Sequence, residues 1–249
     1  MTSAFRQHLD FLKNMINEYL AQLPEDMRLE LYNLLGNLQW PAFVGILIWA
    51  TFQYKAPVKH KLVLWVTFAI ARYWSVAMVP VLSRLTSGII PQINMGIAFG
   101  MFVLIVAAIV YCVRVPILFS LDISIPAYIL GRGLAITGCI FVGCCHGFPV
   151  SWGIYSGLVQ MPTFPAVIID IVISCCIVVY LVLLSRKLNF SGDGIVAAKG
   201  MALFGMLRIV VDILRDNEKL FFLLTTEGLF GIAYVVSGYL LFRYIYNKR

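Results

Sequence analysis

The sequence predicts an all-α, polytopic integral membrane protein with seven transmembrane helices, the N-terminus outside and the C-terminus cytoplasmic. Hydrophobic residues make up 61% of the chain and charged ones only 12%, far from the balance of a soluble domain. Apolar runs at residues 34–54, 62–82, 93–113, 123–143, 165–185, 195–213 and 220–243 each approach the roughly 20 residues a helix needs to cross the hydrocarbon core. The short alternating segments of a membrane barrel are absent, so helices must satisfy the backbone internally.

Residues 1–33 form an extracytoplasmic arm ahead of the membrane domain, residues 34–249. Phe5, Leu9, Leu12, Ile16, Leu20 and Leu23 recur three or four apart, the spacing of one helix face. Pro24 divides the arm into two short helices, and its scattered charges exclude a signal peptide. Its apolar side needs a surface, and the outer membrane face supplies one. Orientation follows from the loops, because Lys and Arg stay on the cytoplasmic side. Lys55, Lys59 and Lys61 follow the first span, Arg114 the third, and Arg186 and Lys187 the fifth, while Arg243, Lys248 and Arg249 close the chain. The net charge of +7 lies largely in these flanks, with no basic stripe interleaved with aromatics, which excludes nucleic acid as a partner.

An ionisable group in mid-membrane costs at least about 2.5–3.5 kcal/mol and therefore needs a partner or a task. Span two carries Arg72, span four Arg132, span five Asp170, and span six Arg208 with Asp212. In "FGMLRIVVDILRDNEK", Arg208, Asp212 and Arg215 fall at i, i+4 and i+7, within roughly 40° of one another on a helix. Asp212 can neutralise one guanidinium, and the remaining cation, at headgroup depth, suits a phospholipid phosphate. Gly96 and Gly100 in span three let another helix approach closely. In span four, Gly131, Gly133, Gly138 and Gly143 strip bulk from the helix, for packing or for a ligand beside Arg132. Cys144, Cys145 and His146 close that span. Three ligands adjacent in sequence seldom converge into a tetrahedron, so neither a metal nor another cofactor is expected. A thiol activated by His146 is a second possibility, and a turn of small residues at the membrane surface a third.

At these residues the chain resembles the prolipoprotein diacylglyceryl transferase family. "ARYWSV" at 71–76 is similar to its Ala-Arg element, "NMGIAFG" at 94–100 to its glycine-rich third span, and "LDISIPAYILGRGLAITGCIFVGCCHG" at 121–147 to its Leu-Asp, Pro-Ala and Gly-Arg pattern, in the Gly-Cys-Cys branch. "MPTFP" at 161–165 and "GMLRIVVDILRD" at 205–216 resemble two further motifs. The resemblance implies an enzyme of the bacterial inner (cytoplasmic) membrane, its active face extracytoplasmic. It would transfer diacylglyceryl from phosphatidylglycerol to the cysteine thiol of a lipoprotein precursor. It also implies phosphate or glycerol contacts at Arg72 and Arg208, with Asp212 orienting Arg208 and Arg215. The site expected is Arg132, Arg208 and His146 as catalytic groups, with Arg72, Asn94, Gly138, Gly143, Asp212 and Arg215 binding substrate. Ile136 occupies the family's signature arginine position, with Arg132 one turn earlier, about 6 Å along the helix. Asn94 stands where members often have His or Tyr, and Met161 replaces a histidine, which leaves His146 as the substitute base. These departures keep two alternatives open: a related transferase moving a glycerophosphate or other lipid-derived group to a glycan, lipid or protein, and a non-catalytic lipid-binding subunit.

Overall fold

The computed structural model describes residues 3–55, 57–85, 95–216 and 224–248. Helix α1 (Ser3–Gln22) and α2 (Glu25–Asn37) form the N-terminal arm. The bundle comprises α3 (Gln39–Gln53), α4 (Val58–Leu85), α5 (Met95–Cys112), α6 (Ile117–Ala135), α8 (Ala166–Lys187), α9 (Ile195–Leu214) and α10 (Thr226–Lys248). A 3-10 turn (Ile136–Gly138) and the short α7 (Cys139–Val142) continue α6. Each predicted apolar segment overlaps one of these bundle helices. Among the described residues, four helical runs are long and apolar enough to cross a membrane: Glu25–Gln53, Ile117–Val142, α8 and α10; Ile97–Cys112 is a shorter apolar helix. The chain is mainly helical and multi-pass.

Pro24 ends the first arm helix and caps the second, as its missing N–H dictates. The arm rests on protein as well as facing outward. Asn17 Nδ2 donates to the Gly153 carbonyl at 3.1 Å while its Oδ1 accepts from Tyr155 N–H at 2.9 Å. Those partners belong to an antiparallel hairpin, β1 (Pro149–Ser156) and β2 (Met161–Thr163), which the all-α expectation did not contain. Too short to span anything, the hairpin joins α7 to α8. At Gly153 a Cβ would stand 2.2 Å from the Thr163 carbonyl oxygen, so only glycine admits this strand approach.

Helix α6 is the most enclosed element, buried continuously from Ser120 to Ile129. Its Asp122 accepts from the Gly194 and Ala197 amides at 2.9 and 2.7 Å, a carboxylate placed on the N-terminus of α9 where the orphan N–H groups favour an anion. Beyond it Tyr128, Phe99, Phe102 and Phe204 pack ring to ring, with centroids 4.6 to 6.4 Å apart.

Helices α9 and α10 touch backbone to backbone. A Cβ on Gly205 would lie 2.4 Å from the Gly231 carbonyl oxygen, and one on Gly231 would lie 2.8 Å from that of Gly205. Small residues allow such contact where no hydrophobic effect drives helices together. Gly205→Leu is expected to destabilise the protein by about 1–3 kcal/mol or more, read as a lower unfolding midpoint in detergent, whereas Gly45→Leu, where the added carbon meets nothing within 4 Å, leaves the midpoint unchanged.

Candidate functional site

The close α9–α10 crossing brings Arg208 and Glu227 together. Glu227 occupies the first turn of α10, and its Oε1 accepts from Arg208 Nη1 at 2.9 Å. Its other oxygen accepts from Arg215 Nη1 at 3.0 Å, so one carboxylate ties both arginines of the span-six stripe. Asp170, on α8, faces the same point. Arg132 Nη1 from α6 lies 2.5 Å from Asp170 Oδ1, Arg208 Nη2 lies 2.6 Å from that oxygen, and Arg215 Nη2 stands 3.5 Å from Oδ2. Arg132 Nη2 also lies 4.0 Å from Glu227 Oε1. Four helices thus deliver five charges to one enclosed spot, where Asp170 and Arg208 are 0% and 1% exposed.

Arg132, Arg208 and Arg215 therefore meet around two carboxylates. What orders them differs. Asp212 accepts from the Thr225 amide at 2.7 Å and the Thr225 hydroxyl at 2.6 Å, bracing the approach to α10, while Asp170 and Glu227 hold the guanidinium forks. The i, i+4 relation put Asp212 beside Arg208 but could not reveal Thr225. Glu227 was missed because it lies near the start of the last apolar run; a carboxylate inside that run was the available signal.

Arg72 stands one aromatic layer away. It donates to Gln39 Oε1, and its guanidinium carbon sits 4.9 Å from the Tyr128 ring centroid. Across the aromatic cluster, Arg208 and Arg132 face the Phe204 ring at 5.4 and 5.9 Å. Several donors find no acceptor among the described residues: Arg132 Nε, Arg208 Nε and Arg72 Nη1 are buried without a hydrogen-bond partner there. The Arg208 Nη2 approach to Asp170 is an ion pair without hydrogen-bond alignment.

The two glycines expected to bind substrate are closely packed against protein. A Cβ on Gly138 would lie 2.6 Å from the Tyr32 carbonyl oxygen of α2, and one on Gly143 would lie 2.3 Å from Ser156 Oγ. Gly143 also has φ +77, a left-handed conformation that reverses the chain after α7. Asn94 lies outside the described residues. Ile136 packs with Cys139 and Val167 in a small apolar cluster.

The reversal at Gly143 gathers what adjacency alone would not. The sulfurs of Cys139, Cys144 and Cys145 lie within 4.8 Å of one another, with Cys145 Sγ 3.6 Å from Cys139 Sγ. The third corner comes from Cys139, one turn before the reversal, rather than from His146, which follows Cys144 and Cys145 in sequence. The Cys145 thiol is held below its ordinary range, first by hydrogen bonds from Cys139 and Cys144, then by the Arg215 and Arg132 charges, against burial, which raises it. His146 lies beside this group, lining a cleft of about 30 Å³ with Cys139, Cys145, Ser156 and Thr163. Its Nδ1 stands 3.1 Å from the Gly147 carbonyl, which can only accept, so this contact calls for a proton on Nδ1. Gly147 in turn bridges backbone to backbone with Arg215, which joins the cysteine turn to the arginine cluster.

Replacing Glu227 by Gln leaves buried guanidinium charge without its carboxylate, at an expected cost of about 3–5 kcal/mol. Thermal unfolding in detergent measures it, and Glu227→Gln combined with Arg215→Met should recover part of the loss. The model of the prolipoprotein diacylglyceryl transferase family matches residues 20–244, which takes in the arginine cluster, the cysteine turn and the bundle helices except the last turn of α10. Searches of curated proteins and of solved structures found no match. The match spans most of the sequence, and the chain belongs to the prolipoprotein diacylglyceryl transferase family.

Proposed function

We propose that the protein transfers a diacylglyceryl group from phosphatidylglycerol to the cysteine thiol of a lipoprotein precursor at the outer leaflet. Family membership supports a membrane transferase of lipoprotein biosynthesis. The observation that carries the finer reading is the set of buried guanidinium N–H groups lacking acceptors on Arg132, Arg208 and Arg72. A buried polar group without a partner costs about 1–3 kcal/mol, more when charged, so such donors are retained where something else satisfies them. A phosphodiester offers several acceptor oxygens and one negative charge, which matches planar arginine forks.

On this reading the acceptor thiolate attacks the glyceryl carbon that bears the phosphate ester. A C–S bond forms, the C–O bond breaks, and its electron pair leaves on glycerol phosphate. Arg132, Arg208 and Arg215 stabilise the charge that accumulates on the departing phosphate, and Asp170 and Glu227 keep the guanidinium planes in place. His146, with Nε2 unprotonated, accepts the proton from the acceptor thiol. Orientation is part of the proposal: the lysine-bearing loop at 55–61 is cytoplasmic, and the cysteine turn, the hairpin and the arm are extracytoplasmic.

A second reading moves a glycerophosphate or other lipid-derived group to a different acceptor. Ile136 favours it, because an apolar side chain at the family's arginine position alters how a donor headgroup is held.

Purified protein in nanodiscs containing phosphatidylglycerol is expected to lipidate a lipobox peptide and release glycerol phosphate, both followed by mass spectrometry. Arg208→Ala should lower turnover about 10²–10³-fold, the loss typical of one charge-stabilising donor. Arg208→Lys should recover little, since an ammonium cannot reproduce the fork. Wild-type protein that releases diacylglycerol, with no thioether product, would replace this reading with the second one.

A further inference from the structure

Three sulfurs placed by one backbone reversal, beside a cleft and next to an arginine cluster, exceed what a surface turn needs. In a tetrahedral site with zinc–sulfur bonds near 2.3 Å, neighbouring sulfurs stand about 3.8 Å apart. The sulfurs of Cys139, Cys144 and Cys145 lie within 4.8 Å of one another, with one separation of 3.6 Å, so small side-chain rotations bring all three to bonding distance. Thiolates select thiophilic cations such as zinc(II) and copper(I) over magnesium or calcium. The three residues differ in access: Cys139 is buried, Cys145 partly so, and Cys144 exposed, which leaves one side of the triangle open. Cys139 and Cys145 also line the cleft that holds His146, whose volume of about 30 Å³ accommodates one small ligand atom and its neighbours.

We propose that Cys139, Cys144 and Cys145 bind a zinc-class cation through three thiolates, and that its open fourth position takes the acceptor thiol. This role rests on the transfer reading above. Metal coordination deprotonates a thiol outright. The acceptor R–SH gives its proton to His146 Nε2 as its sulfur joins the cation, and no redox change occurs. The coordinated thiolate then displaces glycerol phosphate from the donor carbon, and the thioether product, a weaker ligand, leaves the metal. The Gly147–Arg215 backbone bridge links the turn bearing the thiols to the cluster that receives the phosphate. A catalytic metal with three protein ligands and one exchangeable position is the arrangement this chemistry needs.

The test uses full-length protein in nanodiscs, purified under a non-thiol reductant and loaded separately with zinc(II), copper(I) or cobalt(II). The expected result is one zinc per chain by elemental analysis and, with cobalt, tetrahedral visible bands with sulfur-to-metal absorption. A lipobox peptide should intensify the sulfur-to-metal band, and the same peptide with serine for cysteine should not. Cys139→Ser and Cys144→Ser are expected to lose the stoichiometric metal; Cys144 is exposed, so its replacement leaves the fold intact. Cys112→Ser, on α5, should keep it. Absence of metal, its retention in both variants, or a spectrum indifferent to the peptide thiol overturns the proposal, as does a Cys139–Cys145 disulfide in freshly isolated protein. One copper(I) per chain with no zinc reassigns the cation and overturns the zinc assignment. The expected intensification of the cobalt band by the peptide, in protein that transfers no lipid, counts against the transfer reading alone.

Discussion

A charge cannot be taken out of water unless something replaces the water, and that constraint organises the whole bundle. Arg132, Arg208 and Arg215 are enclosed, and their forks are met by Asp170 and Glu227 from two other helices. Each contact fixes a helix pair: α6 to α8 through Arg132 and Asp170, α9 to α10 through Arg208 and Glu227, and α8 to α9 through Arg208 and Asp170. Lipid tails offer no hydrophobic drive between helices, so packing and polar contacts decide which faces meet. The glycines at 205 and 231 show the packing side of the same solution, because the carbonyl contact there sets α10 close enough for Glu227 to reach Arg208.

Intramembrane charge made the central part of this site legible. Arg132, Asp170, Arg208, Asp212 and Arg215 all stand out in an apolar chain, and all are buried. Their pairing was not legible, because helix periodicity reports neighbours on one helix and the decisive partners come from others. Asp212 illustrates this: its place beside Arg208 on the helix is real, yet the amide and hydroxyl of Thr225 occupy its oxygens. The hairpin escaped notice because residues 149–163 are short and interrupted at Gly153, where strand pairing depends on contact with Thr163 rather than on pattern. Cys139 escaped because its link to Cys144 and Cys145 is created by a single left-handed glycine.

Glycine beside arginine suggested a ligand at Gly138 and Gly143, and both glycines also make close contacts with protein. Gly138 admits the Tyr32 backbone, so the arm is keyed to the end of α6 rather than laid loosely over it. Asn17 pins the other arm helix to the hairpin, and Arg28 donates to the Leu20 and Ala21 carbonyls at 3.0 and 3.2 Å, closing the end of α1. Arm, hairpin and cysteine turn therefore form one connected layer at one end of the bundle. Apolar faces of α1 remain exposed at Phe11, Met15 and Tyr19, in keeping with a helix at a lipid surface.

The displacement of the arginine from Ile136 to Arg132 has a structural meaning in this layer. Helices α6 and α8 run past each other in opposite directions: Ile136 meets Val167, and one turn earlier Arg132 meets Asp170. Both positions thus address the same neighbouring helix at successive levels. A guanidinium at 136 would stand at the level of Cys139. At 132 it stands one turn deeper, shared with a carboxylate that also holds Arg208. The level vacated by the cation is lined instead by Ile136, Cys139 and Val167, an apolar wall beside the sulfur triangle. On the proposed reading the two halves of the reaction are separated along α6. The phosphate leaves from the deeper arginine level, and the thiol is activated at the cysteine level above it.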